Sequence, residues 1–179
     1  MLTFSSREVT ADSGAPSLLD IGIHLGRIPR WAAATKSFYP VLLHAMTVAD
    51  LLPLKHQIHG LLHDSDESVT EDVPGPIKPE ELRRLQQKIR VRIYKELGFT
   101  PPSDEVEALV KRADVRAQIG EAHVVGPAGL RGKKQFLPRD LPAEKIVAYY
   151  AGKYEYEDYL EPGGRAVEDF VKRCIAAKG

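Results

Sequence analysis

Apolar residues recur along this chain at helical spacing and nowhere alternate for long as a strand would. The chain turns apolar at Leu18. After Pro40, Val41, His44, Ala45, Val48 and Leu51 or Leu52 fall on one helical face until Pro53 ends the run, which turns His44 inward. A second helix is predicted over 54–63, with Ile58, Leu61 and Leu62 as its apolar side. Asp64 to Pro79, rich in Asp, Ser, Pro and Gly, reads as a loop. Glu80 to Leu97 sets Leu82, Leu85, Ile89, Ile93 and Leu97 on one face, and Gly98 with Pro101-Pro102 stops it. Ser103 is a predicted N-cap for a helix with Asp104 and Glu105 in its first turn. Val106, Leu109, Val110, Ala113 and Ala117 are its apolar positions, with Asp114 beside them. Residues 123–142 carry Gly126, Pro127, Gly129, Gly132, Pro138 and Pro142, which predicts an irregular excursion before helices resume near Ala143 and from Arg165. The pattern predicts an all-α helical bundle without internal repeats.

At 179 residues the expectation is one domain spanning 1–179, with a polar segment 1–17 that packs loosely or serves an oligomer contact. Lys plus Arg equals Asp plus Glu, 25 each, so no net positive field gathers a nucleic-acid backbone and long DNA or RNA is not an expected partner. The single cysteine, Cys174, excludes an internal disulfide and lies on an apolar stripe as a core thiol. The N-terminus has neither a basic start nor an apolar run, and no stretch reaches membrane-spanning length. The expected location is cytoplasmic, in a reducing compartment, with no membrane partner.

Chemistry concentrates in His44, the pair His63-Asp64 and Asp114, each on or at the end of a predicted helix. Two imidazoles and two carboxylates can converge in a bundle core, where the mixed nitrogen and oxygen set suits zinc, manganese, cobalt or iron and leaves positions for water and substrate. Spacing alone favours a structural His-Asp contact over a metal site. Glu67 and Asp72, crowded with Asp64, Asp66 and Glu71, read by composition alone as a solvated acidic loop. Trp31, the only tryptophan, is open between core anchor and stacking platform.

The order of an inward His, then LLHD, then KRAD resembles the H…HD…D signature of the HD-domain superfamily of metal-dependent phosphohydrolases. Arg30-Trp31 upstream and HDSDESVTEDVPGPIK downstream resemble its 5′-deoxynucleotidase branch, which includes phage dATP triphosphohydrolases that accompany 2-aminoadenine (diaminopurine) genomes. The likeness covers roughly residues 18–120. It implies an HD-domain helical bundle with His44, His63, Asp64 and Asp114 as metal ligands. It further implies Glu67 as the carboxylate that positions or deprotonates the attacking water and Asp72 as a second carboxylate near the leaving group. Arg30, Lys78 and Lys111 would hold phosphates, and Trp31 would pack against the base. The implied cofactor is a divalent transition metal (Zn, Co or Mn), with additional Mg or Co accompanying the phosphates. The partner is a deoxynucleotide, and the assembly a homo-oligomer, dimer or hexamer. AAATKSFYPVLL between Trp31 and His44 lacks the glutamate-bearing approach of the cellular nucleotidases, and the chain is short after Asp114. Both features resemble the compact phage enzymes, acting in the host cytoplasm. The implied reaction is attack on the α-phosphate of dATP to give deoxyadenosine and triphosphate. The alternatives are a 5′-deoxynucleotidase acting on dNMPs and a non-catalytic HD-fold nucleotide-binding module. His24, His56, His59 and His123 have no counterpart in the signature and are expected to be structural or solvated; the basic segment GPAGLRGKK matches no phosphate-loop pattern.

Overall fold

The computed structural model describes residues 1–130, 133–136 and 138–178. Its described residues are helical with no strand, only the isolated bridges Leu2 to Glu8 and Pro29 to Pro40, so the fold is all-α. In chain order the helices are α1 (Leu18–Arg27), α2 (Val41–Asp50), α3 (Gln57–Leu62), α4 (Glu67–Thr70) and α5 (Glu80–Glu96). They continue with α6 (Asp104–Val124), α7 (Leu141–Lys153), α8 (Glu157–Leu160) and α9 (Arg165–Ala176).

Helix α2 is the axis of the bundle. Val41 through Ala49 are all buried, because α1, α3, α6, α7 and α9 pack around it. A helix apolar on nearly every face can only sit inside, and His44, at its middle, is therefore carried into the centre. Helix α3 approaches α2 closely through Gly60, where an added Cβ would stand 2.6 Å from the Ala49 Cα. Helix α6 begins as expected, with the Ser103 side chain accepting from the Val106 amide, and lays Val110, Ala113 and Ala117 against Val48 and Leu52. Cys174 is fully buried, as its stripe predicted.

Three features depart from the sequence reading. The expected loop 64–79 contains the single turn α4, closed by Glu71 in a left-handed conformation (φ 65°). Local capping patterns are too short there to reveal a one-turn helix. Helix α7 starts before Ala143, since Pro142 occupies the first turn, where its missing N–H costs nothing, and Asp140 caps it. The N-terminal segment is tied down rather than loose. Asp20 accepts from the Ser5 amide and hydroxyl and from the Ser17 amide, and Arg92 on α5 donates to the carbonyls of Thr10, Ala11 and Gly14. Apart from the local Ser17–Asp20 bond, those contacts are long-range, which no polar composition announces. In GPAGLRGKK, Arg131 and Gly132 lie outside the described residues.

Candidate metal centre and the groups around it

The donors come from three directions. His44 projects from the middle of α2, His63 and Asp64 follow the end of α3, and Asp114 comes from α6. The ligand atoms of His44, His63 and Asp114 lie within 4.8 Å of one another. His44 Nε2 is 3.2 Å from Asp114 Oδ1 and 3.7 Å from Asp64 Oδ2, and His63 Nε2 is 3.1 Å from Asp64 Oδ2. Two atoms bound to one ion at about 2.1 Å stand at most about 4.2 Å apart, so these separations suit a shared divalent cation. Of the four residues expected as ligands, His44, His63 and Asp114 form the mutually close set, and Asp64 adjoins it through the two imidazoles.

The imidazoles are oriented for that task. His44 Nδ1 donates to Glu121 Oε1 at 2.6 Å, and His63 Nδ1 donates to the Gly60 carbonyl at 2.8 Å. With the Nδ1 protons engaged, both Nε2 atoms face the cluster, buried and close to carboxylate oxygens but without a well-aligned hydrogen bond among the described residues. Buried polar atoms are rarely left so, and a metal ion would satisfy both at once. Charge agrees. Burial and the Arg30 guanidinium push the His44 pKa down, but the Glu121 and Asp114 carboxylates outweigh them and raise it to about 10. The site thus favours positive charge at Nε2, which a proton or a divalent cation can supply. Burial pushes Asp64 and Asp114 up, yet their histidine neighbours win and both carboxyls fall well below the usual range.

Glu67 sits at the start of α4, nearly buried, with Lys78 Nζ 3.3 Å from its Oε1. Burial, reinforced by Asp64 and Asp72, pushes its carboxyl up to about 9. The α4 turn is held from both sides: His24 Nδ1 donates to the Ser68 carbonyl at 2.8 Å, and Gln86 Nε2 donates to Thr70 Oγ1 at 2.8 Å. His24 is accordingly structural, as are His123, which donates to the Phe136 carbonyl, and His59, stacked on Tyr94. Lys111 Nζ lies 2.7 Å from Asp114 Oδ2 while its side chain remains largely exposed. Arg30 lies between Asp72, at 3.5 Å, and Glu121, at 3.3 Å. Burial and the attraction of Arg30 oppose each other at Asp72, and burial prevails to raise its carboxyl.

Trp31 is half-buried, meets the Phe136 ring edge-on at 5.6 Å, and donates from Nε1 to Glu121 Oε2 at 3.0 Å. Its backbone is left-handed, as are those of Ala32 and Ala33, a conformation costing about 1–3 kcal/mol per non-glycine residue unless surrounding contacts impose it. Trp31 and Phe136 line a cavity of about 350 Å³ with Val115, Gln118 and Asp72. The irregular excursion after α6 therefore supplies, through Phe136, one wall of the tryptophan cavity.

A second cavity, about 880 Å³, adjoins the metal centre through Asp64. Asp64 and Glu67 stand at its head, and Lys78, Arg83, Arg84, Lys88, Arg90 and Lys111 supply its cations. A third, about 520 Å³, lies between His59, Tyr94, Glu107 and the ligands His63, Asp64 and Asp114.

Sequence reasoning missed Glu121, Arg90 and Asp66. Glu121 is fully buried, and its carboxyl stays low because Arg30 and His44 outweigh the burial that would raise it. A signal existed: Lys111, Asp114, Gln118 and Glu121 recur at three- and four-residue steps, a polar stripe along one face of α6. Gln118 Nε2 donates to Asp114 Oδ1 at 2.7 Å. Arg90 donates to the His63 carbonyl at 2.6 Å, and Asp66, immediately before α4 and 3.9 Å from the Arg90 Nε, is raised by burial to about 7.

No family model matches this chain. Over 84 residues it is 32% identical to the uncharacterized protein YfdR of Escherichia coli (strain K12), a match that takes in 46% of this chain and 47% of that protein. The chain spans about half the length of the curated relative it matches.

Proposed function

We propose that this protein is a metal-dependent phosphohydrolase acting on deoxynucleotides, with dATP as substrate and deoxyadenosine and triphosphate as products. The observation that carries the reading is the convergence of His44, His63, Asp64 and Asp114 with two buried Nε2 atoms aimed into one small space. Those four residues would hold the ion, which when bound supplies Lewis acidity at a phosphoryl oxygen and activates water.

The protein's own groups then divide the work. Glu67, fixed on α4 and beside Lys78, would ionise once a bound cation offsets the burial and the negative charge of Asp64 that hold its carboxyl up, and as the carboxylate it takes the proton of the attacking water. Lys111 moves from Asp114 to a phosphate oxygen, for which its exposed stem leaves it free. Asp72 and Arg30 stand on the opposite side with Trp31, so the nucleoside occupies the Trp31–Phe136 cavity and the departing 5′ oxygen lies near Asp72. Base stacking on Trp31 would contribute about 1–3 kcal/mol. The lining of this cavity sets six cations against the four carboxylates Asp64, Asp66, Glu67 and Glu80, and that excess of two positive charges, added to the charge of a bound cation, would favour a triphosphate over a monophosphate. The dNMP 5′-nucleotidase reading leaves that groove without a ligand.

The test is product chromatography with each dNTP, dNDP and dNMP, with and without chelator. The expected result is metal-dependent release of triphosphate from dATP. No hydrolysis of dATP at any metal loading would overturn the proposal, and orthophosphate release from dNMPs alone would replace it with the nucleotidase reading.

A further inference from the structure

Resting on the metal-site reading above, we propose that Glu121 is a positioning residue that couples the metal centre to the nucleotide-facing pair Arg30 and Trp31. Each of its oxygens has a separate duty. Oε1 takes the Nδ1 proton of His44 at 2.6 Å, while Oε2 accepts from Trp31 Nε1 at 3.0 Å and lies 3.3 Å from the Arg30 guanidinium. The carboxylate is fully buried, so water cannot take over any of the three bonds. It stands at the end of the α6 stripe that also carries Asp114, and so one rigid helix holds a metal ligand and the group that orients another.

On the metal side, Oε1 fixes the tautomer and ring plane of His44 with Nε2 presented to the cluster. On the nucleotide side, Oε2 is the hydrogen-bond partner of the Trp31 indole, whose backbone is at φ 57° and needs such contacts to persist. A cation at Nε2 makes the Nδ1 proton more acidic and draws Oε1 toward it, which changes the hold of the same carboxylate on Trp31. By reciprocity, whatever reorients Trp31 changes metal affinity.

Because Trp31 is the only tryptophan, intrinsic fluorescence reads this coupling directly. Zinc alone is titrated into the full chain, a diamagnetic probe that does not quench by itself, with bound zinc measured by elemental analysis. The expected result is a saturable change in Trp31 emission that tracks zinc content. In Glu121→Gln the amide can still accept from His44 through its oxygen, but its NH₂ then faces two donors, Trp31 Nε1 and Arg30. That variant should bind zinc about 10–100-fold more weakly. At saturating zinc it should show no emission response, and its tryptophan should be more readily quenched by acrylamide. Wild-type emission, quenching and zinc response in Glu121→Gln would overturn the proposal. Should Glu121→Gln fail to fold, the wild-type titration decides: zinc bound with silent Trp31 emission overturns the coupling and leaves the metal reading standing. Zinc not bound at all overturns both.

Discussion

Gly60→Ala tests how the metal site is built, because it replaces no ligand and no substrate group. The new Cβ would stand 2.6 Å from Ala49 Cα, 2.7 Å from Ala49 N and 3.0 Å from Leu52 Cδ1. Ordinary carbon contacts are about 3.5–4.0 Å, so α3 must retreat from α2 by about 1 Å. The obstacle is the backbone of the central helix, which places the overpacking cost near the upper end of its usual range, about 3 kcal/mol. Alanine's better helix propensity returns about 1 kcal/mol. The net loss is about 2 kcal/mol, a fall in Tm of roughly 4–8 °C for a chain of this size. Displacement of α3 also moves the Gly60 carbonyl that anchors His63 Nδ1, so zinc affinity should fall about 10–100-fold. The control is Gly152→Ala on α7, where an added Cβ meets nothing within 4 Å. That variant should gain up to about 1 kcal/mol from propensity alone and bind zinc normally. Calorimetry of the metal-free proteins and zinc competition with a chromogenic chelator supply both measurements. Unchanged Tm and zinc affinity in Gly60→Ala would refute the claim that this close approach sets the His44–His63 geometry.

Glu67→Gln should lower turnover by about 10²–10⁴-fold while elemental analysis finds the same zinc content, and hydrolysis at the wild-type rate would remove Glu67 from the reaction. Zinc at a hundred times its Kd should stabilise the protein by about 2.7 kcal/mol and raise Tm by roughly 5–10 °C, a shift that chelator reverses and Asp64→Asn abolishes. Asp20 tests the N-terminal tether: burial opposes its ionisation, but hydrogen bonds from Ser17 and Ser5 bring its carboxyl down to about 2 from 3.8. A pKa depressed on folding contributes stability above the unfolded value that fades as pH falls toward the folded one, here between about pH 4 and pH 2. Asp20→Asn should therefore cost about 2 kcal/mol in urea denaturation at pH 7 and far less at pH 2.5, and an equal loss at both would exclude the ionised carboxylate as the cause.

The sequence by itself determined the helical class and much of where helices lie. Periodicity located α2, α5 and α6, Ser103 marked a start, and Gly98 before Pro101-Pro102 marked a stop, because these signals act within a few residues of one another. It also turned His44 inward, since a histidine on the apolar face of such a helix can only be buried, and its resemblance to an H…HD…D pattern set His63, Asp64 and Asp114 beside it as candidates. Local patterns could not say that those four meet. His44 and Asp114 are 70 residues apart in number, 114 less 44, yet their side chains lie 3.2 Å apart because α6 packs on α2. The same holds for Glu121, whose polar stripe was visible but whose partners, His44, Trp31 and Arg30, are reached only across helices. Tertiary packing also decided the fate of residues 1–17, through Asp20 and Arg92, and gave Phe136 its place beside Trp31. Helices are fixed by neighbours in sequence, whereas a site is fixed by which helix faces close on one another, and that is settled only when the whole core is buried.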